Sequence, residues 1–209
     1  MSYKIVVDSC CELPAELKND PRFVSIPLGL EVGDYRTMDD DTFNQSDFLA
    51  RVAACPTCPK SSCPSPEKYM EAFDGPAEDI YVVTIAANLS GSHNSAELGK
   101  KLFLEKKHKN IYICDSESAS CGEAQIAIRA MEMAESGMAF AEVVRKLETF
   151  RDNMKTYFVL DNLETLRKNG RLTGVKALVA STLSIKPVMS ADKGVIVQKS
   201  QAIGIKKAL

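Results

Sequence analysis

Short unbroken apolar runs alternate along this chain with longer segments whose apolar residues recur at helical spacing. Residues 4–7 (KIVV) read as a first strand, ended by Asp8-Ser9. Residues 12–18 have helical spacing, with Pro14 near the first turn. The stretch 23–32 (FVSIPLGLEV) reads as one strand, and its interior Pro27 places it at an edge or a bulge. Gly33-Asp34 is a turn. Gln45–Ala54 is helical in the spacing of Phe48, Leu49 and Val52, and 55–62 reads as a loop. Ser65-Pro66-Glu67 starts a helix, with Ser as N-cap and Pro at the first helical position.

The run 80–86 (IYVVTIA) is apolar on both alternating positions, the pattern of a strand buried on both faces. A turn at 88–92 and a helix over 96–106 follow. Residues 110–114 form another buried strand, ended by Asp115-Ser116. Two helices, 122–135 and 139–153, come next. This order predicts a parallel sheet with helices on both faces.

From residue 155 the style changes. A strand at 155–160 leads to a short helix at 163–168, closed by Asn169-Gly170. Residues 175–183 read as a small apolar helix. Strands at 185–189 and 195–200 are joined by Ala191-Asp192-Lys193-Gly194, a hairpin turn. The last residues, Lys206 to Leu209, read as the opening of a helix. The expected organisation is an N-terminal α/β domain over 1–154, then 155–209 as the start of a second α/β domain that is incomplete here.

Composition narrows the function classes. The 209 residues are 45% hydrophobic, enough for a substantial core, with a formal net charge of −2. That balance does not favour nucleic acid or an acidic membrane surface. Aromatic residues make up 7% and Trp is absent, so base-stacking modes are poorly supplied. No apolar run reaches the roughly 20 residues of a membrane span. The N-terminus lacks a signal-peptide core, so a cytoplasmic protein is expected. Seven cysteines form no regular disulfide framework, and free thiols are expected.

Candidate chemistry gathers in hydroxyl-rich turns where strands hand over to helices. They are Asp8-Ser9-Cys10, Ser61-Ser62-Cys63-Pro64-Ser65-Pro66, Leu89-Ser90-Gly91-Ser92, and Asp115-Ser116 through Ser120-Cys121-Gly122. Such turns line the crevice at the carboxyl ends of an open sheet, where ligands bind. Their hydroxyls and free helix N-terminal N–H groups suit an anionic group. Ser65 is accounted for as an N-cap, whereas Ser61 and Ser62 lie before the cap and are free to face the crevice. Ser90 lacks the G-x-S-x-G pattern of a nucleophile elbow. Of the two histidines, His108 lies in a Lys-rich loop and His93 is expected on a helix surface. Cys55, Cys58 and Cys63 lack the second ligand pair of a zinc site. Neither phosphate-loop motif is present, so no nucleotide or other cofactor is expected. No catalytic or metal-ligating residue is assigned.

Taken together, these turns resemble the DegV family. Val6-Val7-Asp8-Ser9 is similar to its V-x-D-S opening, and Ser61-Ser62-Cys63-Pro64-Ser65-Pro66 to its T-S-Q-P-S-P. Leu89-Ser90-Gly91-Ser92 resembles its L-S-G-T. Asp115-Ser116 through Gly122 resembles its D-S-x-x-x-S-x-G. Leu163 to Leu172 resembles the G-G-R segment, with Arg171 in the arginine place and Asn169-Gly170 for Gly-Gly. Ser184-Ile185-Lys186-Pro187 matches N/S-I-K-P.

The resemblance implies a two-domain α/β protein that holds a long-chain fatty acid, its acyl chain in an apolar tunnel. It implies a carboxylate held by Ser61, Ser62, Ser90, Gly91 and Ser92, with Arg171 near the head group. It also implies a partner, the catalytic subunit of a fatty acid kinase, which phosphorylates the presented carboxylate. The chain itself is then a binding protein and not an enzyme. Family members run longer, so the chain resembles a shortened form. Two readings of other classes remain: a hydrolase or transferase using Ser90 or a cysteine as nucleophile, and an interaction module without a ligand.

Overall fold

The computed structural model describes residues 2–160, 163–172 and 185–209. The chain begins with β1 (Tyr3–Asp8), α1 (Ala15–Lys18), β2 (Phe23–Ile26), β3 (Gly29–Val32) and β4 (Tyr35–Met38). Then come α2 (Gln45–Ala54), β5 (Lys60–Ser62), α3 (Pro66–Phe73), β6 (Asp79–Thr84) and α4 (Ser92–Leu104). These lead to β7 (Asn110–Asp115), α5 (Cys121–Glu135) and α6 (Phe140–Asn153). The remainder holds β8 (Thr156–Val159), α7 (Glu164–Lys168), β9 (Ile185–Asp192), β10 (Val195–Ile203) and α8 (Ile205–Ala208).

The central sheet is parallel, in the order β2-β1-β6-β7. The middle of its strands is apolar on both alternating positions because each face meets a helix layer. Ile5 and Val7 of β1 and Tyr81 and Val83 of β6 face a core shared with Ala127, Val143 and Leu147 of α5 and α6. The intervening Val6, Ile80 and Val82 face the opposite core, with Tyr69, Phe73, Ala96 and Phe103 of α3 and α4. All seven of these strand residues are at most 1% exposed. At about 1.5–3 kcal/mol per buried large apolar side chain, these two cores dominate the stability of the first part of the chain.

Two smaller antiparallel sheets stand beside it, β4-β3-β5 and β10-β9-β8. In the latter, Lys193-Gly194 makes a two-residue turn with both φ angles positive, matching the twist of the paired strands. The tip of this hairpin meets the segment after β6. Asn88 Nδ2 donates to Lys193 O at 3.0 Å. A Cβ on Gly194 would lie 3.1 Å from that of Ala86, so the approach needs a glycine.

Several sequence expectations are corrected. The stretch 23–32 is two strands in two different sheets. After Ile26 the chain turns through Pro27, which has no N–H to give a ladder, and Ser9 Oγ accepts the N–H of Leu28 at 3.1 Å. β4 was not foreseen, and β5 lies inside the expected loop 55–62. The helix expected over 12–18 is a single turn beginning after Pro14. Ser65 has the extended backbone of an N-cap but makes no side-chain cap hydrogen bond. The helix expected over 175–183 lies outside the described residues.

Candidate functional site

The chain runs from β1 to β2 on one side and returns to β6 and β7 on the other, so strand order reverses between β1 and β6. Such a switch point opens a crevice beyond the carboxyl ends of the strands. Asp8 closes β1 there and Thr84 closes β6, and both are fully buried. Asp8 Oδ2 accepts the N–H of Ile85 at 2.9 Å, bridging the two strand ends. Its Oδ1 accepts the N–H of Cys10 at 3.1 Å.

A cavity of about 550 Å3 lies above this point, between the tops of β6 and β7 and the two smaller sheets. Its wall is largely apolar, built from Leu30, Phe48, Ile85, Leu89, Phe158 and Ile196. Hydroxyls interrupt it: Ser61 from β5, Ser118 and Ser120 from the turn after β7, and Thr156 from β8. Arg171 lines it as well. The volume and the mix of apolar wall and few polar groups are those of a small-molecule site.

The expected site residues are distributed as follows. Ser61 and Arg171 line the cavity. Arg171 is exposed, and its Nη1 donates to Asn169 O at 2.6 Å. Asn169 Nδ2 in turn donates to Pro59 O at 2.9 Å, which ties the end of α7 to the start of β5. Ser62 is exposed and lies over Gly29 of β3, outside the cavity wall. Ser90 is half-buried beside the lining residue Leu89, and its Oγ accepts the N–H of Ser92 at 3.2 Å. Gly91 is exposed and packs under Cys63, whose Sγ would be 2.9 Å from an added Cβ. The 61–63 and 89–92 turns are therefore neighbours. Ser92 is fully buried, with its Oγ 3.1 Å from Ser90 Oγ.

The fourth turn enters the cavity wall through Ser118, Ser120 and Cys121, beyond the site residues that the resemblance implies. The repeated hydroxyls of Asp115-Ser116 through Ser120 were the signal in the sequence. Ser118 Oγ and Thr156 Oγ1 share a hydrogen bond of 2.7 Å, tying this turn to β8. Ser120 has a positive φ of 56°, an uncommon conformation for a residue with a side chain.

Little here resembles an activated nucleophile. The side-chain partner of Ser90 is Ser92, and His93 instead lies half-buried with Nδ1 3.5 Å from Thr84 Oγ1. The surface position expected for His93 is thus corrected, because the first turn of α4 packs on the end of β6. All seven cysteines are free thiols. Burial pushes those of Cys10 and Cys11 well up and that of Cys114 up to about 12. A thiol so disfavoured as a thiolate is a poor nucleophile. Among the described residues no cluster of His, Cys, Asp or Glu could hold a metal ion. No helix among them is long and apolar enough to cross a membrane.

The model of the family described as "Uncharacterised protein, DegV family" matches residues 2–209. The chain belongs to the DegV family. A DegV domain-containing protein of Streptococcus gordonii is 38% identical over all of this chain and 75% of its own length. Among solved structures, a DegV-family protein from Ruminococcus gnavus ATCC 29149, refined with vaccenic acid, is 50% identical with a TM-score of 0.95. The Fatty Acid Kinase (Fak) B3 protein of Streptococcus pneumoniae, loaded with linoleic acid, is 35% identical with a TM-score of 0.90. Each match covers 100% of this chain and 75% of the relative, so this DegV chain spans three quarters of their length. The mixed α/β architecture, with helices on both faces of a parallel sheet, is the DegV fold.

Proposed function

We infer that this chain binds a long-chain fatty acid and presents its carboxylate to the catalytic subunit of a fatty acid kinase. The observation that carries this reading is the apolar cavity of about 550 Å3 with hydroxyls on its wall, at the switch point of a DegV fold. Relatives of the same fold at 50% and 35% identity hold vaccenic and linoleic acid, and one of them is a fatty acid kinase B protein. The chain is in this reading a binding subunit, not an enzyme, and it acts in the cytoplasm.

The energetics suit such a ligand. Burial of a methylene is worth roughly 0.8 kcal/mol, so about 12 of them offer roughly 10 kcal/mol before ordering costs. A carboxylate entering without hydrogen bonds would cancel several kcal/mol of that gain. We assign the head group to Ser61, Ser62 and Ser90, with the Gly91 backbone and Arg171 beside them. Ser92 supports Ser90 from behind, since its hydroxyl is buried against it. The same reading divides the chain into a domain over 1–154 and the beginning of a second over 155–209.

Mass spectrometry of an organic extract, followed by titration with linoleic acid, tests the assignment. One fatty acid per chain, with saturable binding, is the expected result. No co-purified fatty acid and no saturable binding would refute it.

A further inference from the structure

Among the described residues is a buried carboxyl that the head-group assignment leaves unused. Glu123 sits in the first turn of α5 and is fully buried. Neither of its oxygens has a hydrogen-bond partner of normal geometry. Its carboxyl abuts Asp8, itself fully buried at the switch point. Two carboxylates cannot both be ionised at close range in so dry a place, so one must keep a proton. The surroundings decide which. Burial raises Asp8 as well, but its carboxyl accepts the N–H groups of Cys10 and Ile85 and has Ser92 beside it, all of which favour its anion. Glu123 has no such donors, and a protonated carboxyl supplies one of its own.

We propose that Asp8 and Glu123 form a proton-sharing carboxyl pair, in which protonated Glu123 is a positioning residue for the fatty-acid head-group site. This rests on the function inferred above. Asp8 reaches the site by two routes. One runs to the N–H of Ile85, a residue of the cavity wall. The other runs through the Ser92 hydroxyl to Ser90 Oγ at 3.1 Å. A proton on Glu123 lets Asp8 stay ionised without a second anion against it, and so holds both routes in place.

The group against Glu123 is Asp8 of β1; the thiols of Cys10 and Cys11 in the next turn and the Tyr69 hydroxyl of α3 lie within its electrostatic range. Burial pushes both thiols and the phenol up, so all three are neutral at pH 7. Burial first, and the Asp8 charge second, hold Glu123 well above the usual carboxylate range. Loss of its proton at high pH places two anions together and loosens the 85–92 turn.

Infrared spectroscopy and linoleic acid titration from neutral to alkaline pH test this together. The wild type should show a protonated-carboxyl stretch at neutral pH that Glu123→Gln removes. Its affinity should fall about tenfold as that band disappears. Glu123→Gln, whose amide also donates to Asp8, should bind as the wild type does at neutral pH and lose the alkaline decline. Glu123→Ala should bind weakly throughout. Absence of the band, or an unchanged alkaline decline in Glu123→Gln, would overturn the proposal. A protein that shows the band and binds no fatty acid would instead sink the inferred function and leave the proton-sharing pair supported.

Discussion

Replacing Gly122 by alanine should damage both the fold and the site, although alanine is the better helix former. The glycine is buried in the first turn of α5. A Cβ there would collide with Ser118 Oγ and stand 2.9 Å from Thr156 Oγ1 and 3.0 Å from Ser118 Cβ. Rotation of the Ser118 hydroxyl does not relieve the last contact. Nor is its backbone free to move: Ser118 O accepts the Ala86 N–H at 2.8 Å, and Ser118 N–H donates to Ser116 Oγ at 3.1 Å. The helical preference for Ala over Gly is worth at most about 1 kcal/mol. Against it stand overpacking of about 1–3 kcal/mol and a disrupted Ser118–Thr156 bond, whose buried Ser118 hydroxyl costs about 1–3 kcal/mol when left unpaired. The net loss is about 3 kcal/mol, which lowers Tm by roughly 6–12 °C for a chain of this size. Ser118 and Thr156 both line the cavity, so fatty-acid affinity should fall as well. Urea denaturation followed by circular dichroism, with linoleic acid titration alongside, measures both effects. A Gly122→Ala protein as stable as the wild type would refute the reasoning.

Three further outcomes are expected. Ser90→Ala should weaken fatty-acid binding about tenfold or more, since a hydrogen bond to a charged group is worth about 1.5–3 kcal/mol; unchanged affinity in both Ser62→Ala and Ser90→Ala, with intact circular dichroism, would sink the head-group assignment. Arg171→Ala should lower binding less than phosphorylation by a kinase subunit, because a guanidinium suits the added charge of a phosphate; equal loss in both assays would contradict that role. The raised Glu123 value also sets the sign of the pH dependence. The native state holds a proton that the unfolded chain has released, so the Glu123 contribution to stability is fully present below the ordinary glutamate range and is lost as pH rises through the folded value. The slope should be about 1.4 kcal/mol per pH unit in that window, and urea denaturation of Glu123→Gln should show it removed.

The central sheet was legible because its signals are local. Residues 80–86 and 110–114 are apolar on alternate positions of both faces, which only a doubly covered strand requires, and β6 and β7 stand there. Gln45–Ala54 reproduces a helix predicted from Phe48, Leu49 and Val52 alone. The small sheet β4-β3-β5 was less readable. β5 is Lys-Ser-Ser, exposed at all three positions, and its pairing with β3 is what makes it a strand. The run 23–32 looks continuous because burial on either side of Pro27 is apolar in both sheets. Nothing in the local pattern marks that the chain changes sheets there.

The site divides in the same way. That the turns carry hydroxyls is a local property, readable from strand ends and helix starts. Which hydroxyl faces a ligand depends on what lies behind each turn. Ser92 and Ser61 look alike in sequence, yet one is buried in the first turn of α4 and the other lines the cavity. Asp8 reads as a strand terminator and Glu123 as an ordinary acidic residue in the first turn of a helix, stabilising there by the helix dipole. A surface glutamate in that place needs no partner. Only the packing of α5 on β1 turns it into a buried acid against a second carboxyl, and no periodicity in either segment encodes that meeting. Burying a carboxyl without hydrogen-bond donors costs several kcal/mol, and a proton shared with Asp8 is what offsets it.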